Sequence, residues 1–307
     1  MAATIIEPGY IEASAGDAPF WRRPQADSVF KDRAQRFKSL AVNHRLADFM
    51  RFMAQVAQAQ HQVMSDQGAP TLPAAEQIDL CKAHDMPPLN YQLVKRAPEW
   101  LDGLRLLLEP IATHANPAVL SSIARIKAMT DSELENFADQ LLAGNYAELD
   151  MAMAPLVGAA LQLYWVRMAA SLHTNAVSRP AIQNLCPACG GVPSVSVVRI
   201  GGAEQSLRYL HCSLCASEWN MVRIKCSHCL STEGIAYFGI DGDVGAIKAE
   251  TCDSCNSYLK ILYMEHNPSL DAMSDDLASL ALDILVDEAG YQRSGVNLLL
   301  FPGVADA

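Results

Sequence analysis

Half of the 307 residues are hydrophobic, enough at this length to bury at least one sizeable core and to expect two domains. A formal charge of −11 argues against nucleic acid and anionic lipid as partners, because counterion release at phosphates needs clustered Lys and Arg. Arg22-Arg23 leads into Pro24, Gln25, Asp27, Lys31 and Asp32 rather than an apolar run, and the longest uncharged apolar window, Ala152 to Val166, is too short to span a bilayer. The reading is therefore a soluble, cytoplasmic protein without an export signal or membrane insertion.

Residues 1 to about 24 mix Pro8, Gly9, Gly16, Pro19 and Pro24 without a sustained period and predict an extended arm. From Ser28, Phe30, Phe37 and Leu40 begin a helical pattern. Leu46, Phe49, Met50, Met53, Val56 and Ala57 carry it into a second helix with one buried stripe. Ala74 to His84 reads as a short helix, with Cys81 as a small core residue, and Met86-Pro87-Pro88 as a break. Further helices are predicted over Glu99–His114, Pro117–Met129, Ser132–Ala143 and Ala152–Leu172, with Thr130 or Asp131 available to cap the third. Gly158, Ala159 and Ala160 thin the last of these, so another backbone can approach it, and it is expected to be central.

After Pro180 short runs rich in Val, Ile and Tyr alternate with glycines, the pattern of strands and tight turns. Eight cysteines lie here: Cys186, Cys189, Cys212, Cys215, Cys226, Cys229, Cys252 and Cys255. The last four repeat the first four at a constant offset of 40, so Cys-x2-Cys-x22-Cys-x2-Cys occurs twice, one supersecondary unit used twice. Each intervening stretch is long enough for a hairpin. The first runs from Val195–Ile200 through Gly201-Gly202 to Leu207–His211, the second from Ile235–Ile240 through Asp241-Gly242 to Ala246–Thr251.

Two residues between cysteines let a tight turn point both sulfurs inward, and two such knuckles supply a tetrahedron of thiolates. Knuckles 212/215 and 226/229 stand close enough in sequence to share an ion, but two equal ribbons explain the repeat better, so pairing within each copy is preferred. Four thiolates around a divalent ion leave −2 per site, taking the formal charge from −11 to roughly −15. A site closed by four sulfurs offers no open position to activate water. Metal-assisted hydrolysis is disfavoured, a structural or one-electron role is expected, and no catalytic residue is assigned. Zinc and iron both accept the geometry. His228 lies inside the Cys226 knuckle and His211 precedes Cys212, so either could replace a sulfur or act as an outer donor to the sulfurs.

Tyr258 to Met264 predicts a last strand and Leu270 to Glu288 a helix through Leu277, Leu280, Ala281, Ile284 and Leu285. From 265 to 307 eight acids stand against the single base Arg293, which reads as a solvated face or a surface for a basic partner. Between Cys186 and Lys260 six bases meet seven acids, so the ribbons lack the basic face of a nucleic-acid binder.

Five segments together resemble the formate dehydrogenase accessory protein family, FdhE: Phe30-x-x-Arg33-Ala34-x-Arg36 with Ala59-Gln60, Met86-Pro87-Pro88-Leu89, Ala160-Leu161-Gln162-x-Tyr164-Trp165, the four knuckles, and Asp275-Asp276-Leu277-Ala278-x-Leu280-Ala281-Leu282-Asp283. The resemblance implies a cytoplasmic assembly factor, not an enzyme, that contacts the catalytic subunit of respiratory formate dehydrogenase and holds iron in rubredoxin-like sites ligated by the eight paired cysteines. It departs from rubredoxin itself in one respect: glycine follows the second sulfur only at Gly190, while Ala216, Leu230 and Asn256 stand at the equivalent places, which leaves zinc open. The alternatives are a rubredoxin-like one-electron carrier and a structural zinc-ribbon interaction protein. The expected fold is α+β and multidomain: an arm over 1–27, an all-helical domain over 28–178, four-cysteine ribbons over 179–224 and 225–265, and a C-terminal helix and tail over 266–307.

Overall fold

The computed structural model describes residues 18–240, 242 and 244–301. The beginning of the expected arm, with Pro8, Gly9 and Gly16, and Asp241 of the expected turn lie outside the described residues.

Helices α1 (Val29–Leu40) and α2 (Ala47–Asp66) form an antiparallel pair. Phe30, Arg33, Ala34 and Phe37 of α1 face the interior at helical spacing, as do Met50, Met53, Ala54, Val56, Ala57 and Gln60 of α2. Helix α4 (Glu99–Ala112) buries Trp100, Leu104, Leu107, Leu108 and Ile111. Asn116 caps α5 (Pro117–Ala128) by accepting from the Val119 N–H. Thr130 and Glu133 close a reciprocal capping box on α6 (Asp131–Ala143), and Gly144 ends that helix in the left-handed region.

Helix α7 (Ala154–Ser171) is buried without interruption from Leu156 to Ala169 and packs against α2, α4 and α6. The expected close approach at its small residues is made by the C-terminal segment. A Cβ on Gly158 would lie 2.3 Å from the Leu298 carbonyl oxygen, and the Ala159 carbonyl accepts from Gln60 Nε2 at 2.9 Å.

Helix α3 (Ala75–Ala83) corrects one expectation. None of its described residues is buried, and Cys81 is partly exposed rather than part of the core. Ile78 and Cys81 make only a single i, i+3 pair, too narrow a stripe to seat the helix, and Leu80 on the other side is 60% exposed.

Among the described residues eight strands build one sheet, in the order β1 (Trp21–Arg22), β4 (Glu218–Asn220), β3 (Arg208–Cys212), β2 (Pro193–Val198), β7 (Ser257–Tyr263), β6 (Ile247–Cys252) and β5 (Ile235–Phe238), with β8 (Gln292–Arg293) also paired to β7. Each cysteine repeat is thus a three-stranded antiparallel unit, β2-β3-β4 and β5-β6-β7. The units join through a parallel seam in which Val195 faces Lys260 and Val197 faces Leu262. The core crosses from the helices into the first unit without a break: Phe37, Met53, Leu104 and Trp165 belong to the same cluster as Cys186, Leu210, Cys215 and Trp219.

The expected C-terminal helix is two, α8 (Ala272–Ala278) and α9 (Leu280–Glu288). Ser279 leaves helical geometry between them, and its hydroxyl turns to the Asp275 carbonyl at 2.8 Å and receives the Lys260 ammonium at 3.0 Å, interactions that compete with a continuous helix.

Candidate metal centres

The four sulfurs of each repeat converge, and all pairing is within the copy. Cys186, Cys189, Cys212 and Cys215 form one cluster and Cys226, Cys229, Cys252 and Cys255 the other, with the sulfurs of each mutually within 4.8 Å. In the first, Cys186 and Cys215 Sγ are 3.5 Å apart and Cys189 and Cys212 Sγ 3.4 Å; in the second, the corresponding pairs are each 3.7 Å apart. A regular tetrahedron with bonds of about 2.3 Å, the usual zinc–thiolate length, has edges of about 3.8 Å, so both donor sets fit a divalent ion with little adjustment.

Three of the four knuckles are tight turns closed by their own backbone. Gly190 N–H donates to the Cys186 carbonyl at 2.8 Å, Ala216 N–H to Cys212 at 3.0 Å and Leu230 N–H to Cys226 at 3.1 Å. The residue after the second cysteine is left-handed in all four knuckles: Gly190 at φ 77°, Ala216 at 53°, Leu230 at 64° and Asn256 at 49°. The rubredoxin-like turn therefore persists where the sequence lacks glycine. A left-handed conformation costs a residue with a Cβ about 1–2 kcal/mol, least for asparagine. Gly191 serves another need, since a Cβ there would lie 3.3 Å from Cys212 Sγ and 3.4 Å from Cys189 Sγ.

Burial pushes the Cys186 and Cys189 thiols well up, while hydrogen bonds from those two thiols hold Cys212 well down. In the second cluster burial pushes Cys226 up, but the backbone N–H groups of Cys229 and His228, 3.4 and 3.3 Å from its sulfur, outweigh that and lower it. Burial raises Cys229, Cys252 and Cys255.

The clusters differ in exposure. All four cysteines of the first are buried, whereas Cys229 is exposed and Cys255 partly so. The helical layer seals the first: Leu89 N–H donates to the Ala188 carbonyl at 2.8 Å, Tyr91 N–H to the Cys189 carbonyl at 3.0 Å, and Trp165 Nε1 to the Leu89 carbonyl at 3.1 Å. The second knuckle is held by Gln162, whose Nε2 donates to the Ser213 carbonyl and whose Oε1 accepts from Arg33 Nη1 at 2.7 Å and Gln60 Nε2 at 3.2 Å.

The two candidate histidines differ in what they touch. His211 Nδ1 faces Glu218 Oε1 at 3.5 Å. His228 is exposed and serves Cys226 through its backbone N–H, not its ring.

The acids of the C-terminal region mark a feature the sequence reading missed. Asp275 takes a bidentate bond from Arg36 at 2.6 and 2.8 Å, Asp276 pairs with Arg293 at 2.6 Å and Lys260 at 3.0 Å, and Asp283 with Lys260 at 2.6 Å. These three acids turn inward instead of forming a solvated face. Lys260, in the strand pattern of β7, is the signal that could have found them.

A helical layer sharing its core with two fused ribbons, each gathering four cysteines, defines a tandem four-cysteine ribbon protein with two candidate tetrathiolate centres. The chain belongs to the FdhE family. Models described as the FdhE N-terminal, central and C-terminal domains match residues 18–181, 185–223 and 224–300. It is 42% identical over 305 residues to an FdhE homolog of Stutzerimonas stutzeri, covering 99% of both chains. It is 38% identical over 281 residues to FdhE of Escherichia coli, covering 91% of this chain and 90% of that protein. The crystal structure of FdhE from Pseudomonas aeruginosa superposes with a TM-score of 0.86 at 38% identity, covering 93% of this chain and 100% of that one.

Proposed function

We propose that this protein is a cytoplasmic maturation factor for respiratory formate dehydrogenase that binds the enzyme's catalytic subunit, has no turnover of its own, and carries one metal ion in each four-cysteine cluster. Membership of the FdhE family together with two closed sulfur tetrahedra supports this reading. Cys186, Cys189, Cys212 and Cys215 would hold one ion and Cys226, Cys229, Cys252 and Cys255 the other. A bound divalent cation supplies the positive charge that lets all four thiols of a set deprotonate. The chain's own residues do the rest: knuckle N–H groups solvate the sulfurs, and Gln162, Leu89 and Tyr91 tie the first set to the helices. Calorimetric titration of metal-loaded protein with purified catalytic subunit tests it; saturable binding is expected, and no heat and no co-elution would remove the reading.

A second reading, a rubredoxin-like one-electron carrier, is favoured by the exposure of Cys229 at the second cluster, which leaves that centre accessible to a partner. It needs iron, which the family resemblance favours. Metal analysis of anaerobically isolated protein decides, because stoichiometric zinc without thiolate-to-iron absorption leaves only the structural role of a zinc ribbon.

A further inference from the structure

The sheet ends differently at its two sides. At one, β1 runs along β4, with Trp21 opposite Trp219 and Arg22 opposite Glu218. At the other, β5 pairs with β6 and, among the described residues, no strand lies beyond it. The offset of 40 makes β5 the second repeat's counterpart of β2, and β2 gives its outer side to β7 in the parallel seam. The same side of β5 has no such neighbour.

Asp253 N–H donates to the Gly234 carbonyl at 2.9 Å, which fixes the alternation along the pair. Ala236 and Phe238 therefore turn their backbone groups to β6, while Ile235 and Tyr237 turn theirs outward. Sheets commonly blunt such an edge with a charged side chain, a proline or a bulge. Ile235 to Ile240 contains no charged residue and no proline, and the register from Ile235–Cys252 to Phe238–Ala249 runs without a shift. Tyr237, Phe238 and Ile240 are instead 41, 39 and 41% exposed. Tyr237 reaches Glu250 on one face, its hydroxyl donating at 2.9 Å, and Phe238 meets Tyr291 on the other, ring centroids 5.9 Å apart.

Charge selects the occupant. Glu233, Asp253, Asp287 and Glu288, before the strand, in the adjoining knuckle and at the end of α9, are exposed and make no ion pair among the described residues. Lys248 on β6 is the facing base, and it lies over the Tyr263 ring at 5.7 Å. With histidines neutral, residues 221–300 carry twelve acids against five bases, a formal −7. Counting Arg33, Arg36 and Arg208, which meet Asp271, Asp275 and Glu250 from outside that range, still leaves −4. A second copy of the chain would bring like charge to like, whereas a segment bearing Lys or Arg is attracted.

We propose that β5 is a docking edge for a partner protein, which adds an extended basic segment to the sheet as a further strand. Its backbone bonds to the outward groups of Ile235 and Tyr237, and its apolar side chains lie against Tyr237 and Phe238. The proposal stands independently of the formate dehydrogenase reading.

The test titrates full-length, metal-loaded protein into a fluorescein-labelled Thr-Val-Lys-Val-Lys-Val-Thr peptide and follows anisotropy. Two control peptides run beside it, one with glutamate at both lysines and one N-methylated at its three central residues, which blocks strand pairing and keeps the charge. Saturable binding of the first peptide is expected, with both controls at least tenfold weaker. Amide hydrogen exchange read by NMR should slow at Ile235 and Tyr237 on binding and stay unchanged at Ala236 and Phe238. Tyr237→Pro removes one outward N–H without touching the pairing to β6 and should bind at least tenfold more weakly. No saturation, equal affinity for either control, or unchanged exchange at Ile235 and Tyr237 overturns the proposal. So does self-association of the chain alone that protects those two amides, since it gives the edge to a second copy. If Tyr237→Pro does not fold, the control peptides and the exchange pattern decide.

Discussion

Gln162 on the central helix holds Arg33 with its carbonyl oxygen and the backbone of Ser213, between the sulfurs of Cys212 and Cys215, with its amide nitrogen. One buried side chain thus fastens the helical layer to the first cluster. Gln162→Leu removes both bonds, and the one from Gln60, without opening a cavity, and leaves a guanidinium nitrogen and a carbonyl unpaired. A loss of about 2–4 kcal/mol is expected, read as a lower urea midpoint with an unchanged slope.

Cys189→Ser and Cys229→Ser should each lower the metal content from about two ions per chain to about one. Their effects on the rest of the chain should differ. Cys189 belongs to the core that runs from the helices into the sheet and is fully buried, while Cys229 is exposed. Helical circular dichroism should melt at a clearly lower temperature in Cys189→Ser and near the parental temperature in Cys229→Ser. Equal melting shifts would contradict this difference.

Gly190 and Ala216 occupy the same left-handed place in the two knuckles of the first cluster. Gly190→Ala should cost about 1–2 kcal/mol. Ala216→Gly should gain at most about 1 kcal/mol, because glycine's freedom in the unfolded chain offsets part of the relief. Chemical denaturation of the metal-loaded variants checks both signs.

Burial pushes the Asp276 carboxyl up, but Arg293 and Lys260 overcome this and hold it at about 2 in the folded protein, against an ordinary value of 3.8. Because the folded-state value is the lower, the stabilisation is present above pH 3.8 and is lost as pH falls toward 2. The linkage is worth roughly 2–3 kcal/mol. Asp275, raised by burial despite Arg36, has the opposite sign. Urea midpoints at pH 5 and pH 3 should therefore differ less in Asp276→Asn than in the parent protein.

The helices were legible because their apolar spacing and capping residues are local; Thr130 and Glu133 can be read as a box without any tertiary knowledge. The cysteine offset of 40 was equally plain and led to the within-copy clusters. Strand β4 was missed in Glu218-Trp219-Asn220, although the same offset maps it onto Tyr258–Lys260 of the last strand, which was expected. What the sequence hides is which partner each polar group finds. The bonds among Arg33, Gln60 and Gln162 form only when the fold brings three helices together, and the C-terminal acids look solvated until Arg36 and Lys260 arrive from elsewhere and Arg293 turns back onto them. Hidden likewise is the contact between the helical part and the first ribbon, where Leu89 and Tyr91 bond directly to the Cys186–Cys189 knuckle.

The contact between Gly158 and the Leu298 carbonyl bears on the order of biosynthesis. The central helix leaves the ribosome well before Leu298 is translated, so a nascent chain carries an open notch along that helix until the segment around Leu298 has emerged. Any chain that stops short of Leu298 leaves that notch uncovered.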